Sequence, residues 1–165
     1  MIGRAAIVTV SDSRSRGEGE DESGPRLAQF ASSLGAEVVG RDVVPDERVA
    51  IEERLRHWSD QEDCELVLTT GGTGFAPRDV TPEATRAVIE REAPGIAEAM
   101  RLASRRHTDL WMVSRAVAGT RGGSLIVNFP GSPKSIREVG EEIGPAIPHA
   151  VALLSDHPAA HDHGR

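Results

Sequence analysis

The chain has 165 residues, enough for one domain with a single substantial core, and one principal site is the matching expectation. Its 19 Lys and Arg against 26 Asp and Glu give a net charge of −7, which excludes a general polyanion-binding surface, and 3% aromatic residues with no Tyr exclude a stacking platform for single strands. No basic leader with a long apolar segment opens the chain and no apolar run reaches membrane-spanning length, so the cytoplasm is the expected location, with neither nucleic acid nor membrane as partner.

Arg4 to Val10 is a short apolar run rich in β-branched residues and predicts a buried strand, followed by a polar, Gly-bearing loop from Ser11 to Gly24. Ser23 is the expected cap of a helix with Pro25 near its first turn, Leu27, Phe30, Ala31 and Leu34 on one face, and Gly35 as its stop. Glu37 to Val44 predicts a second strand. Pro45-Asp46 then opens a second helix, in which Val49, Ile51, Leu55 and Trp58 follow helical spacing loosely. Cys64 has no partner for an internal disulfide and precedes an apolar run, which predicts a buried, structural thiol.

Leu66 to Thr70 is the third predicted strand and runs straight into Gly71-Gly72-Thr73-Gly74. A helix is expected from Thr81-Pro82-Glu83, with Thr81 as cap, and another from Gly95 to about Arg106. Ala116 to Thr120 and Ser124 to Phe129 read as a hairpin closed at Arg121-Gly122-Gly123. Pro130 to Lys134 opens a further helix, and Pro145 and Pro148 begin the last, which ends near Ser155. Strands alternating with helices predict an α/β fold whose mainly parallel sheet is covered on both faces, with ligands at the carboxyl ends of the strands. The expected organisation is a single domain over residues 1–156 and a loose polar tail over 157–165, whose three histidines are not expected to hold a metal.

Four strand-end segments carry candidate chemistry. Thr9, Ser11 and Asp12 follow the first strand, where hydroxyls and turn amides suit phosphate oxygens and a carboxylate suits an exocyclic amine; an ordinary Ser or Asx turn is the competing reading. Gly71, Gly72, Thr73 and Gly74 form a phosphate-loop candidate, although no Gly-Lys-Ser/Thr follows and Pro77 stands where a dinucleotide fingerprint needs its third glycine. Asp79 is expected to face the same surface, with Asp46 as its partner for a hard divalent cation; for Asp46 a plain helix cap competes. In Asn128 to Lys134, Ser132 caps a helix whose first turn holds Lys134, a cation disfavoured there unless an anion binds beside it.

Together these segments resemble one family, the Mog/MoaB-like molybdopterin-binding proteins, which include molybdopterin adenylyltransferase and the equivalent domain of gephyrin. The matching residues are Thr9-Val10-Ser11-Asp12, Val44-Pro45-Asp46-Glu47, Leu68 to Gly74, Ala76-Pro77-Arg78-Asp79-Val80-Thr81-Pro82-Glu83-Ala84-Thr85, Leu102-Ala103-Ser104, Ser114-Arg115 and Pro130-Gly131-Ser132-Pro133-Lys134. The resemblance spans about Ile7 to Leu154 and implies a three-layer α/β sandwich that assembles as a homotrimer. It implies adenylyl transfer from MgATP to the terminal phosphate of molybdopterin, and a product passed to a molybdate-inserting protein. Asp46 and Asp79 match the family's essential acidic residues, here also the Mg²⁺ ligands. The substrate-binding positions would be Thr9, Ser11, Asp12, Gly71 to Gly74, Ser114, Asn128, Pro130, Gly131, Ser132 and Lys134. A binding-only or scaffolding relative, in which both aspartates serve as caps and turn residues, is the competing reading, with a general nucleotide-binding module as a third.

Overall fold

A computed structural model describes residues 1–155; the tail expected over 157–165 lies outside the described residues. The strands are β1 (Arg4–Val10), β2 (Glu37–Val44), β3 (Leu66–Thr70), β4 (Arg91–Glu92), β5 (Ala118–Arg121) and β6 (Ser124–Phe129). They form one sheet in the order β2-β1-β3-β6-β5-β4. The pairs β1–β2, β1–β3 and β3–β6 are parallel, while β5 is antiparallel to both β4 and β6. The helices are α1 (Asp12–Ser15), α2 (Ser23–Ser33), α3 (Arg48–Arg56), α4 (Thr81–Val88), α5 (Pro94–Arg105), α6 (Pro133–Ile143) and α7 (Ile147–Ser155).

The period-2 alternation of each central strand divides its apolar side chains between two cores. Ile7, Leu68, Leu125 and Phe129 point to one face and pack with Leu27 of α2, Met100 of α5, Ile136 of α6 and Ile147 of α7. Val8, Val67 and Ile126 point to the other and meet Ile51 and Leu55 of α3, Val88 of α4 and Trp58. The result is the expected three-layer sandwich with a short hairpin in its C-terminal half. Each fully buried Leu or Ile contributes about 1.5–3 kcal/mol, so the two cores fix the strand register before any loop contact is considered. Cys64 is buried, as its sequence position implies, and burial pushes its thiol up to about 11, which leaves it inert at neutral pH.

Several local expectations give way to tertiary contacts. Ser23 does not cap α2: its hydroxyl donates to the Gly131 carbonyl, and Asp21 accepts the Gly24 amide at 2.9 Å instead. Thr81 is the first residue of α4 rather than its cap, and its hydroxyl donates to the Gly71 carbonyl at 2.9 Å. Asp46 lies two residues ahead of α3 and caps nothing. In each case a partner from another segment replaces the local amide. Ser132 does cap α6, accepting from the Ser135 amide at 3.5 Å. The loop after β1 contains the short α1, capped by Ser11, and a 3₁₀ segment over Asp109–Val113 follows α5. Trp58 sits in a π turn over His57–Gln61, stacked on Gly40 so closely that a Cβ there would lie 2.0 Å from the indole.

Candidate active site

Beyond β3 the chain reverses through Gly71 and Gly72, whose φ values of +96° and +68° lie in the left-handed region. A Cβ on Gly71 would lie 2.4 Å from the Val10 carbonyl oxygen, and one on Gly72 would lie 2.4 Å from Thr81 Oγ1 and 3.1 Å from Asp46 Oδ1. The loop is therefore pressed onto the end of β1 and against a carboxylate. Thr70 Oγ1 donates to the Pro130 carbonyl at 2.7 Å, and Gly131 stands so near that its own Cβ would be 3.4 Å from Gly71 Cα. The ends of β1, β3 and β6 thus meet at one point.

Three carboxylates gather beside it. Asp12 and Asp46 exchange hydrogen bonds: the Asp12 amide donates to Asp46 Oδ2 and the Asp46 amide donates to Asp12 Oδ1, both at 2.9 Å. The Arg78 guanidinium grips both oxygens of Asp12, again at 2.9 Å, and together with the Asp46 amide holds that carboxyl down at about 2. Asp46 moves the opposite way. Burial raises it, and the charges of Asp12 and Asp79 add to the rise against the Asp12 amide and Arg78. Asp79 Oδ2 accepts the Ala76 amide at 3.0 Å and lies where a Gly74 side chain would collide with it.

Three acidic groups facing one guanidinium leave uncompensated negative charge, with the hard oxygen donors that a divalent cation prefers. Among the described residues no group of three or more His, Cys, Asp or Glu could hold a metal ion. Asp46 and Asp79 offer hard oxygen donors of the kind used by a cation that takes one or two protein carboxylates and fills its other positions with phosphate oxygen and water.

Arg115 has a role that sequence reading missed. Its backbone amide donates to the Thr73 carbonyl at 2.8 Å, Nε to the Gly74 carbonyl at 2.8 Å and Nη2 to the Asp79 carbonyl at 2.7 Å, while Nη1 pairs with Glu83. One planar fork thereby ties both ends of the loop that carries Asp79. A single arginine in an irregular segment gives no local signal of this. Arg78 was likewise visible only as part of a motif, without its grip on Asp12.

Two cavities flank the Pro130–Pro133 segment. The first, about 340 Å³, is lined by Met100, Ser104, His107, Trp111, Ser114 and Lys134 among others, with Pro130 at its wall. The second, about 290 Å³, lies at the ends of β1 and β3 and is lined by Thr9, Ser11, Asp21, Gly71 and Gly131 among others. The structure thus brings Ser114, Pro130 and Lys134 to one cavity and Thr9, Ser11, Gly71 and Gly131 to the other. Asp12, Asp46, Gly72, Thr73, Gly74 and Asp79 lie in the loop cluster beside the second. Asn128 reaches neither: it is fully buried, its amide nitrogen donates to Thr69 and Thr85 hydroxyls at 3.0 and 2.9 Å, and its oxygen accepts the Val117 amide. That side chain ties β6 to α4.

The sequence profile of the family described as "Probable molybdopterin binding domain" matches residues 6–149. The molybdopterin adenylyltransferase of Helicobacter pylori (strain J99) is 44% identical over 150 residues, which cover 90% of this chain and 85% of that protein. The Drosophila melanogaster molybdenum cofactor synthesis protein cinnamon is 43% identical over 91% of this chain, which spans only 25% of cinnamon's length. Among solved structures, the molybdopterin biosynthesis enzyme MoaB of Thermus thermophilus superposes with a TM-score of 0.88 at 47% identity, covering 96% of this chain and 99% of that one. With the family profile covering most of the chain and the fold shared with these relatives, the chain belongs to the Mog/MoaB-like molybdopterin-binding family.

Proposed function

We propose that the chain is a molybdopterin adenylyltransferase. The observation that carries this reading is the pair of cavities flanking the Pro130–Pro133 segment, the second lined by Gly71 of the turn beside which Asp46 and Asp79 stand, in a chain 44% identical to an enzyme of that name. An oxygen of the terminal molybdopterin phosphate attacks the α-phosphorus of ATP, the bond from that phosphorus to the bridging oxygen breaks, and pyrophosphate leaves. Such a transfer asks the protein for positioning and charge neutralisation more than covalent chemistry. Asp46 and Asp79 are the residues that would hold Mg²⁺, which supplies charge compensation for the polyphosphate.

The chain's own groups do the remainder. The glycine turn lets backbone approach phosphate oxygens, Arg115 keeps the Asp79 loop in place, and Arg78 with Asp12 fixes the segment that presents Asp46. Thr9, Ser11 and the Pro130–Lys134 segment line the substrate cavities, with Lys134 offering a cation to phosphate. Incubation with molybdopterin, ATP and Mg²⁺ should release pyrophosphate only when pterin and divalent cation are both present. Equal release without pterin would make the chain a plain ATPase, and pterin binding without any release would leave a binding protein.

Lys134→Ala should weaken ATP or molybdopterin binding while leaving the melting temperature unchanged or slightly higher. The substitution removes a cation from a helix N-terminus, where it costs about 0.3–1 kcal/mol, and gives up only a long contact, 3.8 Å, with the largely buried Glu138. A clear drop in melting temperature with ligand titrations unchanged would assign Lys134 to structure.

The assembly proposed is a homotrimer, supported by the exposed apolar residues Leu102 on α5 and Leu110, Met112 and Val113 on the neighbouring 3₁₀ segment. Light scattering at three chain masses tests it, and a monomer would refute it. Residues 1–156 form the proposed single domain. Among the described residues no helix is long and apolar enough to cross a membrane, which accords with the proposed cytoplasmic location; fractionation of cells tests that placement. The adenylylated product would pass to a molybdate-inserting protein, for which co-sedimentation with such a protein is the check.

A further inference from the structure

Arg78 is tied into the loop cluster by one edge only. Its Nε and Nη2 donate to Asp12 Oδ2 and Oδ1, both at 2.9 Å, while Nη1 and the outward N–H of Nη2 meet no acceptor among the described residues. Arginines that serve the fold behave otherwise. Arg115 spends Nε, Nη1 and Nη2 on Gly74, Glu83 and Asp79, and Arg121 spends the same nitrogens on Asp60 and Val88. Arg16 also has a free edge, but its pair is a local one with Glu18 on the surface.

The free edge of Arg78 is held in place. Asp12, which it grips, exchanges backbone-to-carboxylate hydrogen bonds with Asp46, so the guanidinium is fixed relative to the Asp46 carboxylate through paired bonds on both sides of Asp12. A planar fork fastened at one edge presents the other with little further loss of side-chain freedom. Asp12 is matched by Arg78, which leaves Asp46 and Asp79 to a cation and the outer guanidinium edge to an anion. A polyphosphate has oxygens enough to meet both. Arg78 lines neither cavity and its side chain is 59% exposed, so a group bound there opens onto solvent. In adenylyl transfer the part of ATP that departs to solvent is pyrophosphate. We propose that Arg78 is a catalytic residue whose outer edge holds the β- and γ-phosphates of ATP. As the bond from the α-phosphorus to the bridging oxygen breaks, its electron pair passes to that oxygen, and the guanidinium faces the charge that the pyrophosphate gains. This assignment rests on the adenylyltransferase reading in taking pyrophosphate as the leaving group.

Arg78→Lys and Arg78→Gln supply the test. Each keeps an N–H for Asp12, and neither spans that carboxylate and a phosphate oxygen in one plane. Calorimetric titration of the full chain with ATP, inorganic pyrophosphate and AMP, all with Mg²⁺, should show both variants losing about tenfold or more for ATP and pyrophosphate but less than about twofold for AMP. Melting temperatures should fall little, because the guanidinium stands mostly in solvent. Arg16→Lys, which alters a similar side-on pair, should leave all three affinities as they are. A role confined to holding Asp12 would weaken AMP as much as ATP; that result, or unchanged affinities in both Arg78 variants, would overturn the assignment. The titrations need no turnover. Absence of pterin-dependent pyrophosphate release beside a selective loss of ATP and pyrophosphate binding would remove the reaction and keep the contact, and normal release by an Arg78→Lys protein with undiminished ATP affinity would do the reverse.

Discussion

Asp46→Asn is expected to keep the native melting temperature or raise it slightly while cutting pyrophosphate release by roughly 10²–10³. The structure separates the two effects. Because burial and the charges of Asp12 and Asp79 raise the Asp46 carboxyl above its ordinary value of 3.8, the fold favours the neutral form. The stabilising preference for a neutral group is present below that ordinary value and is lost as pH rises through the raised one, so near pH 7 the charge is a cost. Asparagine removes the charge and retains an oxygen to accept the Asp12 amide. Alanine removes both and should lower stability by about 1 kcal/mol. Both variants should fail in turnover to a similar extent, as should Asp79→Asn. Added Mg²⁺ should raise the melting temperature of the native chain more than that of Asp46→Asn, which reads cation binding without activity. An Asp46→Asn protein that turns over normally would leave the carboxylate pair without its role.

Gly71→Ala carries the largest expected loss of both stability and binding. A non-glycine residue at φ +96° costs about 1–3 kcal/mol, and here the added methyl would also meet the Val10 carbonyl at 2.4 Å, a backbone atom that cannot swing aside. The turn must lift from β1 or the β1 end must move, and either shift disturbs the second cavity. At about 2–4 °C per kcal/mol for a chain of this size, the melting temperature should fall by roughly 5 °C or more. ATP affinity should fall with it. Gly95→Ala is the control, since nothing lies within 4 Å of its Cβ position and its φ is unremarkable for a helix. Melting curves and ATP titrations of the two variants decide the matter: native behaviour of Gly71→Ala would mean that the turn is not held against β1.

The central strands were legible because their signal is the hydrophobic pattern itself. Leu66–Thr70 and Ser124–Phe129 fall where their apolar runs place them, and the chain turns at Gly71-Gly72, where a glycine loop was expected. What misled the reading was local capping chemistry. Ser23 and Thr81 each had the residue type and position of a helix cap, yet each hydroxyl commits its hydrogen bond to another segment, Gly131 and Gly71 respectively, and the competing cap reading of Asp46 fails in the same way at Asp12. Capping is worth about 0.5–2 kcal/mol, and a tertiary hydrogen bond of similar strength displaces it. Asn128, whose place in a strand-end motif suggested a ligand contact, is fully buried with its amide nitrogen between Thr69 and Thr85, a structural tie that the motif did not announce. Arg115 was missed because its meaning lies in long-range partners, the carbonyls of Gly74 and Asp79.

The two outer strands limit how copies of this chain can associate. β4 is only two residues long, both charged and exposed, and β2 presents Glu37 and Arg41 to solvent along its open side. Short or charged edges of this kind discourage one sheet from extending into another. The proposed self-assembly would then use side-chain faces rather than backbone pairing, and Leu102, Leu110 and Met112 stand exposed on one such face. An association built on that face adds copies without lengthening the sheet, and growth by open-ended strand addition is disfavoured.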